Sequence, residues 1–303
     1  MSHILVIGSA NADHVMNFEY LPVPGQTLMS RAYRLEHGGK GANQAVACAR
    51  LCQGDAEVAF ICHLGQDSVG NDMRTSWLKD GIKAEGITQV ANMSTGTALI
   101  FVGDNGENSI GIAAGANADL TPSELEKHYA LFANAQFLLI QLETPMETVH
   151  HALQTAKRLG ITTVLNPAPA TSQELDYLKW VDIITPNETE AEALTGIEVN
   201  NEEDAELAAQ WLHQQGVATV VITLGSKGAF ISSAGFTGLI PALTVQAIDT
   251  VAAGDTFNGA LVVGLSEGMS IAAAVGFANA ASAITVTREG AQRAIPYRHE
   301  VQR

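Results

Sequence analysis

The sequence predicts an α/β fold in which a mostly parallel sheet is covered by helices on both faces. Six short runs rich in Val, Ile and Leu are apolar throughout instead of alternating with polar residues, which is typical of parallel strands buried on both faces. Segments with helical periodicity separate the runs, and parallel neighbours need such crossover connections. The predicted strands are 4–7, 58–61, 137–140, 163–165, 183–184 and 220–222.

Three predicted helices have recognisable starts. Thr121, Thr144 and Asn187 each precede a glutamate by three positions, a pattern in which the cap side chain and the glutamate satisfy free N–H groups of the first turn. In an open α/β sheet, ligands bind beyond the carboxyl ends of the strands. The residues that follow the predicted strands are therefore the first candidates for a functional site.

Two segments depart from this strand-helix alternation. Residues 12–37 and about 96–113 alternate apolar and polar positions, and Asp104-Asn105-Gly106-Glu107 between two apolar runs predicts a hairpin. Together they predict a small separate sheet. Such an insertion after the first strand suits a lid that closes on a substrate and excludes water. We therefore predict a single domain, residues 1–303, with a β lid.

The composition is that of a compact globular protein, because 47% of the residues are hydrophobic and only 16% are charged. Thirty-two acidic residues against sixteen basic ones give a net charge of −16, which disfavours nucleic acid and anionic membranes as partners. No apolar run approaches the about 18 residues of a membrane span, and no leader pattern precedes the first strand. The three cysteines are odd in number and irregularly spaced, which favours buried thiols over disulfides. We expect a cytoplasmic location.

The stretch 249–260 predicts a turn that opens a buried helix. Small residues at 252–254 allow backbone N–H groups to converge, and the first turn of a helix adds unpaired N–H groups and the positive end of the helix dipole. Asp255 stands at this anion site, where it could take a proton from a hydroxyl that attacks a bound phosphoryl group. The spacing fits equally well with Asp255 as a helix N-cap.

A glycine-rich turn, Gly38-Gly39-Lys40-Gly41-Ala42-Asn43-Gln44-Ala45, enters another predicted helix. It has neither the P-loop nor the dinucleotide-binding spacing, and by itself it fits a tight corner as well as a ligand loop. Together with 249–257, it resembles the two signatures of the ribokinase-like carbohydrate kinases, the PfkB family. Further motifs in the same order extend the resemblance over essentially the whole chain: 8–13, 24–27, 141–143, 165–170, 184–190, 223–228 and 287–292.

The resemblance implies a ribokinase-like three-layer fold and the transfer of the ATP γ-phosphoryl group to the 5-hydroxyl of D-ribose, with Asp255 as the catalytic base. The substrate-binding positions that it implies are Asn11, Asp13, Gly39, Lys40, Gly41, Ala42, Asn43, Glu143 and Asp255. Carboxylates and amides can accept and donate paired hydrogen bonds to sugar hydroxyls. The alternatives are a turn or helix cap for Asp13 and Glu143 and an ordinary surface lysine for Lys40.

For ATP, the resemblance implies a turn after a late strand, the helix mouth and one helix asparagine. These positions are Asn187, Thr223, Leu224, Gly225, Ser226, Lys227, Gly228, Ala253, Gly254 and Asn279. Asn187 and Glu190 also fit a capping box, and Asn279 also fits a buried asparagine that bonds only to backbone.

The cofactors implied by the resemblance are Mg²⁺, held through water by Glu190, and an activating K⁺. The implied potassium ligands, mostly backbone carbonyls, are Asp249, Val251, Thr285, Arg288, Gly290 and Ala294. Ala294 has no side-chain oxygen where a serine is common, so we expect a water or carbonyl there. Ala252 replaces a glycine that is frequent in the family, which predicts a negative φ at this position.

The implied partners are ATP, D-ribose and a second copy of the chain, paired through lid faces more apolar than those of a monomer. Two other functions stay open. One is another sugar or nucleoside kinase of the family, such as a deoxyribokinase, and the other is a non-catalytic sugar-sensing protein. The intact turn and Asp255 count against the second, since a protein that only binds sugar needs no base.

Overall fold

The structure is a computed structural model that describes residues 3–54, 56–170 and 175–301. Its strands are β1 (His3–Ile7), β2 (Asn11–Phe18), β3 (Ala32–Gly38), β4 (Glu57–Gly65), β5 (Ile87–Val90), β6 (Gly96–Gly103), β7 (Asn108–Ala113), β8 (Phe137–Ile140), β9 (Thr162–Leu165), β10 (Ile183–Ile184), β11 (Thr219–Thr223), β12 (Gly228–Ser232) and β13 (Thr237–Pro241). Its α-helices are α1 (Lys40–Leu51), α2 (Ser68–Lys79), α3 (Pro122–Glu126), α4 (Tyr129–Asn134), α5 (Met146–Leu159), α6 (Glu188–Thr195), α7 (Glu202–Gln214), α8 (Ala253–Ser266), α9 (Ile271–Thr285) and α10 (Arg298–Val301).

Nine of the described strands form one large sheet in the order β13-β12-β11-β10-β9-β8-β1-β4-β5. All neighbours from β11 to β5 are parallel, and β12 and β13 add an antiparallel edge. The six predicted strands all lie in the parallel part, so the predicted mostly parallel α/β sheet is confirmed. The other three strands are at its two edges, where apolar runs are shorter or partly exposed.

Helices cover both faces of this sheet, because successive side chains of a buried strand point to opposite sides. In β1, Ile4 and Val6 pack with α1, α2, α8 and α9, whereas Leu5 and Ile7 pack with α3 to α7. The result is a three-layer arrangement with one apolar core on each side of the sheet.

The position of β1 explains where a site can form. From β1 the chain first builds one side of the sheet with β4 and β5, and later the other side with β8 to β11. At such a reversal of strand order the connections at the carboxyl ends diverge and leave a crevice for ligands. The loops after β1 and β8 border this crevice.

The remaining four described strands form a second sheet, in the order β3-β2-β6-β7, which we call the lid sheet. β2 pairs with β3 and β6 with β7 in antiparallel fashion, and β2 runs parallel to β6. The turn 104–107 joins β6 to β7 as a hairpin, and all six residues of β7 are exposed. That this sheet closes over a substrate stays a prediction.

The predicted helix starts are only partly correct. Asn187 forms a full capping box with Glu190, as its side chain accepts from the N–H of Glu190 while the carboxylate accepts from the N–H of Asn187. Thr121 is at the N-cap of α3, but its hydroxyl bonds to the Ser123 hydroxyl. The N-cap of α5 is Pro145, so Thr144 lies one residue too early.

The described helices include none with the length and apolar character to cross a membrane. All three cysteines are free thiols, as predicted. Burial raises the pKa of Cys48 and Cys62 well above the ordinary value and that of Cys52 to about 12. Such thiols remain protonated and unreactive near neutral pH.

Candidate active site

Part of the predicted sugar and nucleotide residues border one cavity at the carboxyl ends of the parallel strands. The cavity has a volume of about 230 Å³. Its lining residues include Lys40, Asn187, Glu190, Thr223, Ala252, Ala253, Gly254 and Asp255. An acceptor hydroxyl and a phosphoryl donor could therefore meet in the same space.

Asp255 lies in the first turn of α8, and both of its carboxylate oxygens accept hydrogen bonds from α1. Asn43 Nδ2 donates to Oδ2 at 2.9 Å, and Gln44 Nε2 donates to Oδ1 at 3.0 Å. The N-cap of α8 is Ala252 and not Asp255, so the alternative that Asp255 is a mere helix cap is wrong. The carboxylate is held in one orientation at the cavity wall.

Burial raises the pKa of Asp255 above the ordinary value, and Lys40, Asn43 and Gln44 oppose this shift by stabilising the charged form. A higher pKa makes the carboxylate a stronger base towards a hydroxyl proton. The local environment therefore suits a residue that accepts a proton during the reaction.

A buried amide network behind Asp255 was not predicted from the sequence. Gln44 Nε2 also donates to Asn166 Oδ1 at 3.0 Å, and Gln44 Oε1 accepts from Gln141 Nε2 at 2.6 Å. Asn166 follows β9 and Gln141 follows β8, so the network links two strand ends to α1 and α8. Gln44 is part of the glycine-rich motif, which was the only available signal for it.

At the sugar end, Glu143 connects three segments. Its Oε2 accepts from Ser9 Oγ at 2.5 Å and from the N–H of Lys40 at 3.0 Å, and its Oε1 lies 3.8 Å from Lys40 Nζ. These contacts place Glu143 beside the glycine-rich turn, where its carboxylate also caps α1 by accepting the N–H of Lys40, the first residue of that helix. The Lys40 side chain is two-thirds buried and is not an ordinary surface lysine.

Asn11 and Asp13 lie on β2, next to the same turn. Asn11 pairs with Gly38 in the β2–β3 register, and its Oδ1 accepts from Asn117 Nδ2 at 2.8 Å. A Cβ at Gly38 would overlap the Asp13 carboxylate, and one at Gly39, whose φ is +89°, would lie 2.8 Å from Ala10 Cα. The glycines are needed because the turn passes so close to these side chains.

Asn117 is a second residue that sequence reasoning missed. It is buried and bonds to the N–H of Ala10 at 2.9 Å, to the carbonyl of Ala10 at 3.1 Å and to Asn11. It therefore orients Asn11 from a segment more than one hundred residues away, and no local pattern marks it.

The site contains more acidic than basic side chains. Burial lowers the pKa of Lys40, but Asp255, Glu143, Glu190 and Asp13 together outweigh burial and leave this pKa above the ordinary value. Burial, followed by the charges of Glu143, Glu36 and Asp255, raises the pKa of Asp13 to about 7. The Asp13 carboxyl group thus gains a proton easily when no ligand is bound.

The turn before α8 differs from the prediction at Ala252. Its φ is +60° and not negative. The left-handed conformation at Ala252 turns the chain into α8, whose first turn lines the cavity, and this requirement overrides the preference of alanine for negative φ. The N–H of Ala253 bonds to the Thr250 carbonyl at 3.2 Å. The predicted hole for a phosphoryl group therefore depends on Gly254 and Asp255, whose N–H groups lack intrahelical acceptors in the first turn.

The predicted nucleotide residues fall into two groups. Asn187 and Thr223 are bridge partners at the ends of β10 and β11, and Glu190 lies beside them in the cavity. Gly225 and Ser226 are exposed in the turn Gly225–Lys227, and Gly228 has a φ of +116°. Of this second group, Gly225 and Ser226 are exposed and follow Thr223, which lines the cavity.

The other predicted nucleotide residues point elsewhere. Leu224 is buried in the core, and Lys227 Nζ donates to the Asn200 carbonyl at 3.1 Å. Asn279 Nδ2 donates to the carbonyls of Ile240 and Pro241 at 3.0 and 3.2 Å. The contacts of Asn279 match the alternative of a buried asparagine bonded to backbone, so a contact of its side chain with ATP stays a prediction.

Three of the six predicted potassium ligands lie together. Asp249 Oδ1 accepts from the N–H of Val251 and Asp249 Oδ2 from that of Gly290, both at 3.0 Å. The Thr285 hydroxyl bonds to Thr256, the Arg288 side chain reaches Glu300 at 2.6 Å, and Ala294 is buried. A carboxylate is one type of oxygen ligand for a cation, and a potassium site at Asp249 stays a prediction.

Comparison with known proteins gives one consistent result. The model of the pfkB family carbohydrate kinases matches residues 1–298. The chain is 49% identical over 297 residues to a ribokinase of Haemophilus influenzae, covering 98% of this chain and 96% of that protein. The ribokinase structure from Thermotoga maritima is similar, with a TM-score of 0.90, 37% identity and coverage of 100% and 98%. The Arabidopsis thaliana ribokinase complexed with ribose and ATP has a TM-score of 0.88 at 32% identity, with coverage of 100% and 98%.

Proposed function

The chain belongs to the pfkB family of carbohydrate kinases, and we propose that it acts as a ribokinase, converting D-ribose and ATP to D-ribose 5-phosphate and ADP. The observation that carries this proposal is the position of Asp255. It lines the same cavity as Thr223, is held by Asn43 of the glycine-rich turn and lies in the first turn of a helix whose free N–H groups favour an anion.

The side chains divide the work of phosphoryl transfer. Amides and carboxylates at the sugar end orient the ribose ring so that its 5-hydroxyl faces Asp255. Asp255 accepts the hydroxyl proton as the oxygen attacks the γ-phosphorus and the bond to the ADP oxygen breaks. The N–H groups of Gly254 and Asp255 stabilise the negative charge on the transferring group. Lys40 can offset negative charge from the other side of the cavity.

Two ions complete the proposal. Glu190, whose pKa is raised by burial, would hold Mg²⁺ through water, and the ion would neutralise charge on the nucleotide phosphates. The segment around Asp249 would hold K⁺ beside the turn. Higher activity with potassium than with sodium or without added monovalent salt is expected, and binding of potassium should raise the melting temperature of the protein. Equal rates in the three salts would contradict the potassium site.

The test of the reaction is ADP release by the purified protein with ATP, Mg²⁺ and K⁺. D-ribose, deoxyribose, fructose and adenosine are compared side by side, and the Asp255→Asn variant serves as the control for contaminating kinases. A strong preference for D-ribose is expected. A preference for deoxyribose would move the protein to the other family activity, and no turnover of any acceptor would favour a sugar-sensing protein.

We also propose a cytoplasmic homodimer that pairs through the lid sheet. On one face of this sheet the large apolar side chains of Tyr33, Leu35 and Leu99 are exposed, whereas Ile110 and Ile112 are exposed on the opposite face, which also carries Asp13. A second copy that packs on the first face would cover Tyr33, Leu35 and Leu99. Sedimentation equilibrium should give twice the chain mass, and Leu99→Asp should shift the protein towards monomer. A monomeric wild type would contradict the proposal.

A further inference from the structure

Glu36 has an unusual place in the lid sheet. It is only 9% exposed, although a charged side chain is seldom buried unless it is paired. In the β2–β3 register it stands directly opposite Asp13, so the two carboxylates share one face of the sheet. Like charges in this arrangement repel each other. The sheet therefore needs partners that hold Glu36 in place.

These partners come from the far end of the chain. Glu36 Oε2 accepts from the N–H of Ala291 at 2.7 Å, and Oε1 lies 3.2 Å from a terminal nitrogen of Arg293. On its own strand, Arg34 Nε donates to Oε1 at 2.6 Å. A Cβ at Gly290 would lie 2.6 Å from Glu36 Oε2, which shows how closely the loop 288–294 packs on this carboxylate.

The same loop also contacts the turn that precedes the catalytic helix α8. The N–H of Gly290 donates to Asp249 Oδ2, and Asp249 Oδ1 accepts from the N–H of Val251, both at 3.0 Å. Val251 lies two residues before Ala253, where α8 begins. A short series of contacts thus joins Glu36, the loop 288–294 and the turn that presents Gly254 and Asp255.

We propose that Glu36 is a positioning residue that couples the sugar-binding strands β2 and β3 to the phosphoryl-binding turn before α8. The inference rests on the proposed function, because it requires that a sugar binds beside Asp13. A sugar that holds β2 and β3 in place also holds Glu36, and Glu36 fixes the loop that supports Asp249 and Val251. Sugar binding therefore favours the arrangement of the turn that binds nucleotide, and by thermodynamic linkage nucleotide binding favours sugar binding by the same factor.

The experiment measures this linkage directly. Calorimetry gives the Kd of a non-hydrolysable ATP analogue, adenylyl imidodiphosphate with Mg²⁺, without and with saturating D-ribose. In the wild type we expect ribose to tighten nucleotide binding at least about fivefold, a usual size for such coupling. In Glu36→Ala the factor should fall below twofold, while D-ribose alone still binds within about threefold of the wild type. Glu19→Gln, at an exposed glutamate of the lid region, should keep the wild-type factor.

Two further variants keep the test decisive if Glu36→Ala does not fold. Glu36→Gln retains an acceptor for the N–H of Ala291 but loses the ion pair with Arg293, and Arg293→Ala removes the same pair from an exposed position. Both should show intermediate coupling. Hydrogen exchange should show that ribose protects residues 288–294 and 249–253 in the wild type but not in Glu36→Ala.

The outcomes separate the two proposals. If ribose binds but the coupling is the same in the wild type and in every Glu36 variant, or if the wild type shows no coupling, Glu36 has no positioning role. If the wild type does not bind ribose at all, the proposed function is wrong and this inference falls with it.

Discussion

The two ends of the cavity are built in different ways. The sugar end consists of polar side chains that bond to one another, with Asn43 and Gln44 on Asp255, Asn117 on Asn11, and Ser9 on Glu143. The phosphoryl end consists of backbone, with a left-handed turn at Ala252 and N–H groups at the mouth of α8.

The difference has a physical reason. A sugar hydroxyl is recognised by the direction and type of each hydrogen bond, which only specific side chains can supply. A phosphoryl group carries charge on several oxygens and can be held by any N–H groups that converge on it. Side-chain substitutions should therefore have large effects at the sugar end, whereas at the phosphoryl end the backbone conformation matters most.

The largest effect is expected at Asp255, where the two ends meet. Asp255→Asn keeps the size and hydrogen-bonding capacity of the side chain but removes the base. Turnover should fall by about two to four orders of magnitude while D-ribose still binds, since the amide accepts no proton. Steady-state kinetics and calorimetry check the two parts. Turnover close to that of the wild type would show that Asp255 is not the base.

Gln44 tests whether the amide network behind Asp255 matters for the reaction. Gln44→Leu removes one donor to the carboxylate and leaves Asn166 and Gln141 without their shared partner. We expect turnover to fall about 10- to 100-fold with a smaller change in KM for ribose, because small misplacements of a catalytic group cost this much.

The control for this variant is Gln89→Leu, at a residue whose side chain bonds to Asn71 at the protein surface. If both leucine variants kept their turnover, the network would serve packing alone.

The variant Asp13→Asn tests the effect of the clustered carboxylates at the sugar end on stability. Its pKa is about 7 in the folded protein and 3.8 ordinarily. Between these values the unfolded chain is ionised while the folded protein stays protonated, so the unfolded chain binds fewer protons and stability falls as pH rises from about 4 to 7. Asp13→Asn should remove this loss, on the order of 1–2 kcal/mol for a partly exposed group, and weaken ribose binding.

Urea unfolding without ligand at pH 5 and pH 8 measures this effect. Relative to wild type, Asp13→Asn should be more stable at pH 8 than at pH 5. A pH-independent difference for Asp13→Asn would mean that its carboxyl group is not protonated at pH 5 in the folded protein.

The two ends also differ in how well the sequence predicts them. Continuous apolar runs predict the parallel strands because burial on both faces leaves a direct mark on composition, and motifs predict Asp255, Lys40 and Glu143. Asn117 and Glu36 lie outside the motifs and were missed, since their roles come from contacts with segments more than one hundred residues away, whereas Asn166 lies in the motif 165–170 but was given no role. Ala252 was predicted with the wrong sign of φ, because its conformation is set by the direction in which α8 must present its N–H groups.

Ala252→Gly is the smallest expected effect and the sharpest test of a site built from backbone. An alanine at a φ of +60° costs about 1–2 kcal/mol, and replacement by glycine removes this cost. Glycine also increases the entropy of the unfolded chain, which offsets part of the stabilisation. A net increase of about 0.5–1 kcal/mol in the free energy of unfolding should raise the melting temperature by about 1–2 °C. Asn92→Gly is the matched control, because Asn92 has a φ of 61° but asparagine tolerates this region, so its gain should be smaller. A loss of stability in Ala252→Gly that exceeds any loss in Asn92→Gly would show that the turn is not strained, and that the Ala252 methyl group contributes packing that the backbone argument leaves out.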